Sequence, residues 1–129
     1  LAMGLDMYLI GRKAPLSNPS TDGFPVLFID LQLGYWRKHP NLHGYIVKKF
    51  ADGVDECQEV CLDVECLNDL IVAVQDPKNL PHTTGFFFGE SSQSPEQVQY
   101  DKSIFEKALQ WLKSEPDDEM RLVYYRASW

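Results

Sequence analysis

Leu80-Pro81-His82-Thr83-Thr84-Gly85-Phe86-Phe87-Phe88-Gly89 places three consecutive phenylalanines between two glycines, directly after a polar, proline-containing turn. Glycine tolerates backbone conformations that other residues avoid. The pair therefore reads as punctuation around one short, apolar strand buried on both faces. A buried strand late in a chain implies other strands beside it and helices covering it, and both are legible upstream.

Residues 7–10 form a short apolar run that predicts a first strand, ended by Gly11-Arg12-Lys13. Residues 14–25 contain Pro15, Asn18, Pro19, Ser20, Asp22, Gly23 and Pro25 and read as a loop. Residues 26–36 begin as an apolar run and then alternate. Leu27, Ile29, Leu31 and Leu33 fall on one face, and Phe28, Asp30 and Gln32 on the other. A long strand paired with the first fits this pattern.

Pro40 suits the first position of a helix, where its missing N–H costs nothing. Leu42, Ile46, Val47 and Phe50 give that helix one apolar stripe, and Gly53 closes it. Val60 and Leu62 suggest a strand. Asp63 can cap a second helix carrying Cys66, Leu67, Leu70, Ile71 and Val74, which should end before Pro77. Ser94-Pro95-Glu96-Gln97 is a capping box with proline at the first helical position. The third helix buries Val98, Phe105, Ala108, Leu109 and Leu112 and stops near Ser114, ahead of Pro116. Residues 120–126 read as the last strand. The expected fold is a single α+β domain over residues 3–129, in the order β-β-α-β-α-β-α-β. About five strands form a mostly antiparallel sheet with about three helices packed on it. Leu1 and Ala2, ahead of Met3, read as residues left by cloning.

The formal charge of −7, from 19 acidic and 12 basic residues, argues against nonspecific nucleic-acid binding and against docking on anionic membranes. No apolar run approaches the roughly 18 residues that span a bilayer, and the start lacks the pattern of a signal peptide. Cys57, Cys61 and Cys66 are odd in number, and their spacing does not match a zinc site, so buried thiols in a reducing, cytoplasmic compartment are expected. No metal and no cofactor is expected. Phosphate-loop, dinucleotide-binding, nucleophile-elbow and metalloprotease motifs are all missing.

Residues with chemical potential cluster where the second strand meets the first helix: Tyr35, Trp36, Arg37, Lys38, His39 and His43. Arg37 beside a helix N-terminus can meet an anion, and Trp36 or Tyr35 can stack on a ring. The bland alternative is a tryptophan half buried over the core with its basic neighbours solvated. His82, in the turn, can serve as a base near neutral pH or simply bond the backbone. Tyr8 and Asp6 on the first strand are possible contributors, and Glu90 and Asp101 are the carboxylates nearest His82 in sequence. Glu56, Glu59, Asp63 and Glu65 form an acidic stretch that can face a cation, a basic partner or only water.

Met3-Gly4-Leu5-Asp6-Met7-Tyr8-Leu9, Gly34-Tyr35-Trp36-Arg37-Lys38 followed by Leu42-His43, Asp55-Glu56-Cys57, the Leu80–Gly89 stretch and the terminal Tyr125-Arg126-Ala127-Ser128-Trp129 stand out as motifs. Together they resemble those of a family of small uncharacterised phage, prophage and bacterial proteins. The resemblance covers nearly the whole chain and implies a phage-related cytosolic protein, without bringing a catalytic residue. Two functions follow as expectations. One is an accessory protein that binds a host or phage protein, with a homodimer also open through Tyr124, Tyr125 and Trp129. The other is a small-molecule or nucleotide binder, and even an enzyme, with Tyr35, Trp36, Arg37, His43 and His82 converging on one pocket.

Overall fold

A computed structural model describes residues 4–17, 19–85 and 88–129. Its principal sheet is antiparallel. Strand β1 (Asp6–Pro15) lies at the centre, between β4 (Ile29–Arg37) and β6 (Glu119–Ser128), and the two-residue β5 (Val60–Cys61) pairs with the far side of β6. Helices α1 (Pro40–Phe50), α2 (Val64–Ala73) and α3 (Pro95–Lys113) complete a single α+β domain. No helix among the described residues is long and apolar enough to cross a membrane.

The helix starts follow the sequence signals. Pro40 and Pro95 occupy first-turn positions, and the Asp63 side chain accepts a hydrogen bond from the Cys66 N–H. Ser94 accepts one from the Gln97 N–H at 3.2 Å. The reciprocal half of that capping box is missing, because the Gln97 side chain turns away to Asp101. The Ser94 N–H donates instead to Ser92. At the far end of α1 the chain reverses through Asp52 (φ 53°) and Gly53 (φ 79°).

Two expectations change. Residues 14–25 are not wholly loop: β1 runs on to Pro15, and the two-residue strands β2 (Ser20–Thr21) and β3 (Phe24–Pro25) form a small hairpin. Its turn is Asp22-Gly23, both with positive φ, the conformation that two-residue hairpins favour. In the expected Phe86–Phe88 strand, Phe86 and Phe87 lie outside the described residues. Phe88 is buried but not in a strand, and its N–H closes a turn onto the Gly85 carbonyl at 3.1 Å.

The alternation expected along β4 is broken by a bulge. Gly34 faces Leu9 and Gln32 faces Ile10, leaving Leu33 as the extra residue. One inserted residue exchanges the faces of everything beyond it. Unbroken alternation would put Trp36 on the face of Phe28, Asp30 and Gln32. The bulge turns it inward, where its ring stacks on Phe105 of α3 at 5.4 Å.

The core lies between the helices and one face of the sheet. Met7, Leu9, Val123 and Tyr125 from the strands meet Leu42, Ile46, Leu67, Leu70, Phe105 and Ala108 from the helices. Helix α3 approaches closely because two facing positions lack side chains. A β-carbon at Gly34 would overlap Ile104, and one at Gly11 would sit 2.9 Å from the Trp111 ring.

The Gly34→Ala substitution should lower the unfolding free energy by about 1–3 kcal/mol, as overpacking does in well-filled cores. Chemical denaturation checks this, and an unchanged midpoint would show that α3 does not seat so closely on β4.

Candidate functional site

Asp101 lies on the buried stripe of α3, at 2% exposure. A carboxyl group so placed needs partners for its oxygens. Oδ1 accepts from the Trp36 indole N–H at 2.8 Å and from the Gln97 amide at 2.7 Å, and Oδ2 meets His39 Nε2 at 2.8 Å. On the other side of the imidazole, Nδ1 lies 2.8 Å from Ser91 Oγ, which also accepts the Asn41 N–H at 3.0 Å. These roles are mutually consistent when His39 carries its proton on Nε2 and Ser91 donates to Nδ1.

His39 is the residue just before α1, so this network joins the end of β4, the start of α1 and the first turns of α3. It also decides the fate of the expected anion site. A first-turn N–H of α1 is capped by Ser91, and Arg37 donates to Asp6 at 2.9 Å.

One helical turn on, His43 sits at 2% exposure in a second network. The Tyr125 hydroxyl and His43 Nδ1 are 2.5 Å apart, and His43 Nε2 is 2.9 Å from Asp55 Oδ1. Asp55 is partly exposed, so it supplies the acceptor at the rim and the Tyr125 hydroxyl donates from within. Burial lowers the His43 pKa below its usual 6.5, against the opposing pull of Asp55. Burial likewise pushes the Tyr125 phenol well up. The rings of Phe88 and Trp129 pack edge-on against the His43 imidazole, at 5.4 and 5.6 Å.

The residues expected from the sequence therefore divide. Tyr35, Trp36 and Arg37 come together, with His39, Gln97 and Tyr100, around a shallow cleft of about 280 Å³. Trp36 is only 3% exposed and cannot offer its ring face to a ligand. Tyr35 and Arg37 point to the opposite side of β4, where both donate to Asp6 of β1. The Tyr35 hydroxyl, then Arg37, hold that carboxyl below the usual carboxylate range. Tyr8 packs its ring 5.3 Å from Tyr35, so Asp6 and Tyr8 do belong to this cluster. His43 is locked in the core. His82 is exposed and makes no side-chain hydrogen bond among the described residues.

Asp101 and His39 form the centre of the first network, and no sequence motif marks them as partners. The available signal was Asp101 itself, three residues before Ile104 and four before Phe105 on the apolar stripe. Other expectations also shift. Cys57 and Cys61 are exposed and only Cys66 is partly buried, contrary to three buried thiols. Asp63 caps α2 and Glu59 pairs with Arg12 at 3.2 Å, so the acidic stretch has local work. Among the described residues no three His, Cys, Asp or Glu side chains are placed to hold a metal ion. The aromatic tail splits three ways: Tyr125 is core, Tyr124 stacks on the Arg12 guanidinium at 4.5 Å, and Trp129 lies against Phe88.

No family model matches the chain, and neither the curated proteins nor the solved structures searched contain a match.

Replacing Asp101 with alanine should cost about 3–5 kcal/mol, because Trp36 and His39 would be left buried without their acceptor. A loss below about 1 kcal/mol in denaturant titration would show that the network is not a stabilising element. The His43 shift has a defined sign. The unfolded chain binds a proton at His43 more readily than the folded one, so its contribution is complete above pH 6.5 and is lost as pH falls below that value. Stability measured from pH 7 to pH 5 should fall less steeply in His43→Gln than in the parent protein, whatever the variant's absolute stability.

Proposed function

We propose that this chain is a phage-related accessory protein that works by binding another protein, through the end of its sheet where β4 is the edge strand among the described residues. The observation that carries this reading is the distribution of exposed apolar side chains. Leu27, Phe28, Ile29 and Leu31 are exposed at the start of β4, with Leu16 and Phe24 in the preceding connection and Met120 and Leu122 at the start of β6. Strand pairing gathers the β4 and β6 residues at one end of the sheet, on its two faces: Leu122 and Met120 share the face of Arg12, Ala14 and Asp30, while Ile29 and Leu31 share the other with Lys13 and Gly11.

Edge strands present unpaired backbone groups, and soluble proteins usually guard them with charge, proline or short length. Between Pro25 and the bulge at Leu33, β4 has a single charged residue, Asp30, and that is already paired with Arg12 at 2.7 Å. An apolar edge of this kind suits a partner that lays an extended segment beside β4, taking main-chain hydrogen bonds for affinity and side-chain contacts for specificity. The partner we favour is a host or phage protein. Binding without catalysis also agrees with how the histidines are used: His39 and His43 are buried and satisfied by internal hydrogen bonds. A ligand held jointly by Trp36, Arg37, His43 and His82 would need them to line one cavity, whereas Trp36 and Arg37 share a shallow cleft, His43 is buried in the core and His82 is exposed.

Affinity capture from a phage-infected bacterial lysate should recover a partner with the parent protein and lose it with an Ile29→Lys/Leu31→Lys variant that melts at the parent temperature. Recovery of the same proteins by both would sink the proposed surface. Light scattering on the purified chain distinguishes a second copy as the occupant: a dimer that the variant dissolves would replace the host or phage partner.

A further inference from the structure

A second concave surface lies away from the sheet edge. Tyr45, Lys48 and Lys49 stand at i, i+3 and i+4 on α1, so they share one face of the helix. Opposite them are Lys78, Asn79 and Pro81, from the 3-10 turn Pro77–Asn79 and the segment after it. Together they line a groove of about 560 Å³, within the range of roughly 300–1,000 Å³ typical of small-molecule sites.

The charge of this groove runs against that of the molecule. The chain carries −7, yet the described residues that line the groove include three lysines and no carboxylate. One carboxyl group, Asp69 of α2, stands behind the wall. It accepts from Lys49 Nζ at 2.7 Å and from the Tyr45 hydroxyl at 2.6 Å. This neutralises Lys49 and fixes the Tyr45 ring, whose other edge meets Phe50. The second nearby carboxyl, Asp76, accepts the Lys78 backbone N–H at 3.0 Å and caps the short turn. Lys48 and Lys78 make no ion pair among the described residues and are both exposed.

We infer that this groove binds a small phosphomonoester of nucleotide size. The phosphate would lie between the Lys48 and Lys78 ammonium groups, where charge-assisted hydrogen bonds are strongest. The organic part would rest on the immobilised Tyr45 ring and on Pro81, a pair of apolar surfaces whose ordering cost is already met by Asp69 and the proline ring. Asn79 has one amide hydrogen engaged with the Ala73 carbonyl at 3.3 Å. That bond helps hold the turn that carries Lys78. The site is independent of the β4 edge, so failure at one does not bear on the other.

Backbone-amide NMR titrations of the intact chain with adenosine monophosphate, and separately with inorganic phosphate, test this. Saturable shifts at Lys48, Lys49, Lys78 and Asn79 are expected with the nucleotide. Lys48→Ala and Lys78→Ala should each weaken binding by about tenfold, and Lys107→Ala, an exposed lysine on α3, should leave it unchanged. Shifts that never saturate, or affinities that Lys48→Ala and Lys78→Ala leave intact, would overturn the site. Equal affinity for inorganic phosphate would overturn the organic half of the proposal and reduce the groove to a bare anion site.

Discussion

The carboxyl group of Asp101 accepts three hydrogen bonds inside the protein, and the donors arrive from three separate parts of the chain. Trp36 comes from the end of β4, His39 from the residue before α1, and Gln97 from the preceding turn of α3 itself. Placing such a group in the interior is expensive unless its oxygens are met. The requirement therefore fixes how α3 lies on the sheet and where α1 departs from it. The Ser91 hydroxyl extends the same chain of bonds to the first turn of α1, and Asn41 carries it to the Thr83 N–H at 3.0 Å. A segment with no regular structure is thus held by polar contacts to a helix start.

The apolar packing agrees with this frame. Gly34 lies two residues before Trp36 on β4, and its missing side chain admits Ile104, three residues after Asp101 on α3. The hydrogen-bonded contact and the close approach are consecutive turns of one interface. The second network, Tyr125–His43–Asp55, plays a similar part between β6 and α1. Its tyrosine and imidazole are enclosed by Phe88 and Trp129, which brings the last residue of the chain against the first helix. His39, just before α1, and His43, in its first turns, are thus both tied into internal hydrogen-bond networks. The apolar end of the sheet and the lysine-lined groove beside α1 lie outside both networks.

Much of the secondary structure was legible because its signals are local. Pro40, Asp63, Ser94 and Pro95 act on N–H groups within one turn of themselves, and all of them mark helix starts in the structure. The pairing of β1 with β4 could be anticipated from two apolar runs close in sequence. The Asp22-Gly23 hairpin carried a recognisable turn pair but was hidden among prolines and polar residues. The site was less legible. Tyr35, Arg37, Asp6 and Tyr8 do gather, yet Trp36 and His43 look like ligand-facing groups only until their burial is known.

The amino-acid sequence by itself determined the α+β class, the three helices and their starting points, and the acidic character of the surface. These depend on periodicity, capping chemistry and composition, which act over a few residues or over the whole chain at once. Only the tertiary structure decided which way Trp36 points, since a single extra residue at Leu33 exchanges the faces of β4 without changing the residue types along it. The role of Asp101 was settled in the same way. A carboxyl group on an apolar stripe is ambiguous until its partners are known, and two of the three lie 62 and 65 residues away in the chain.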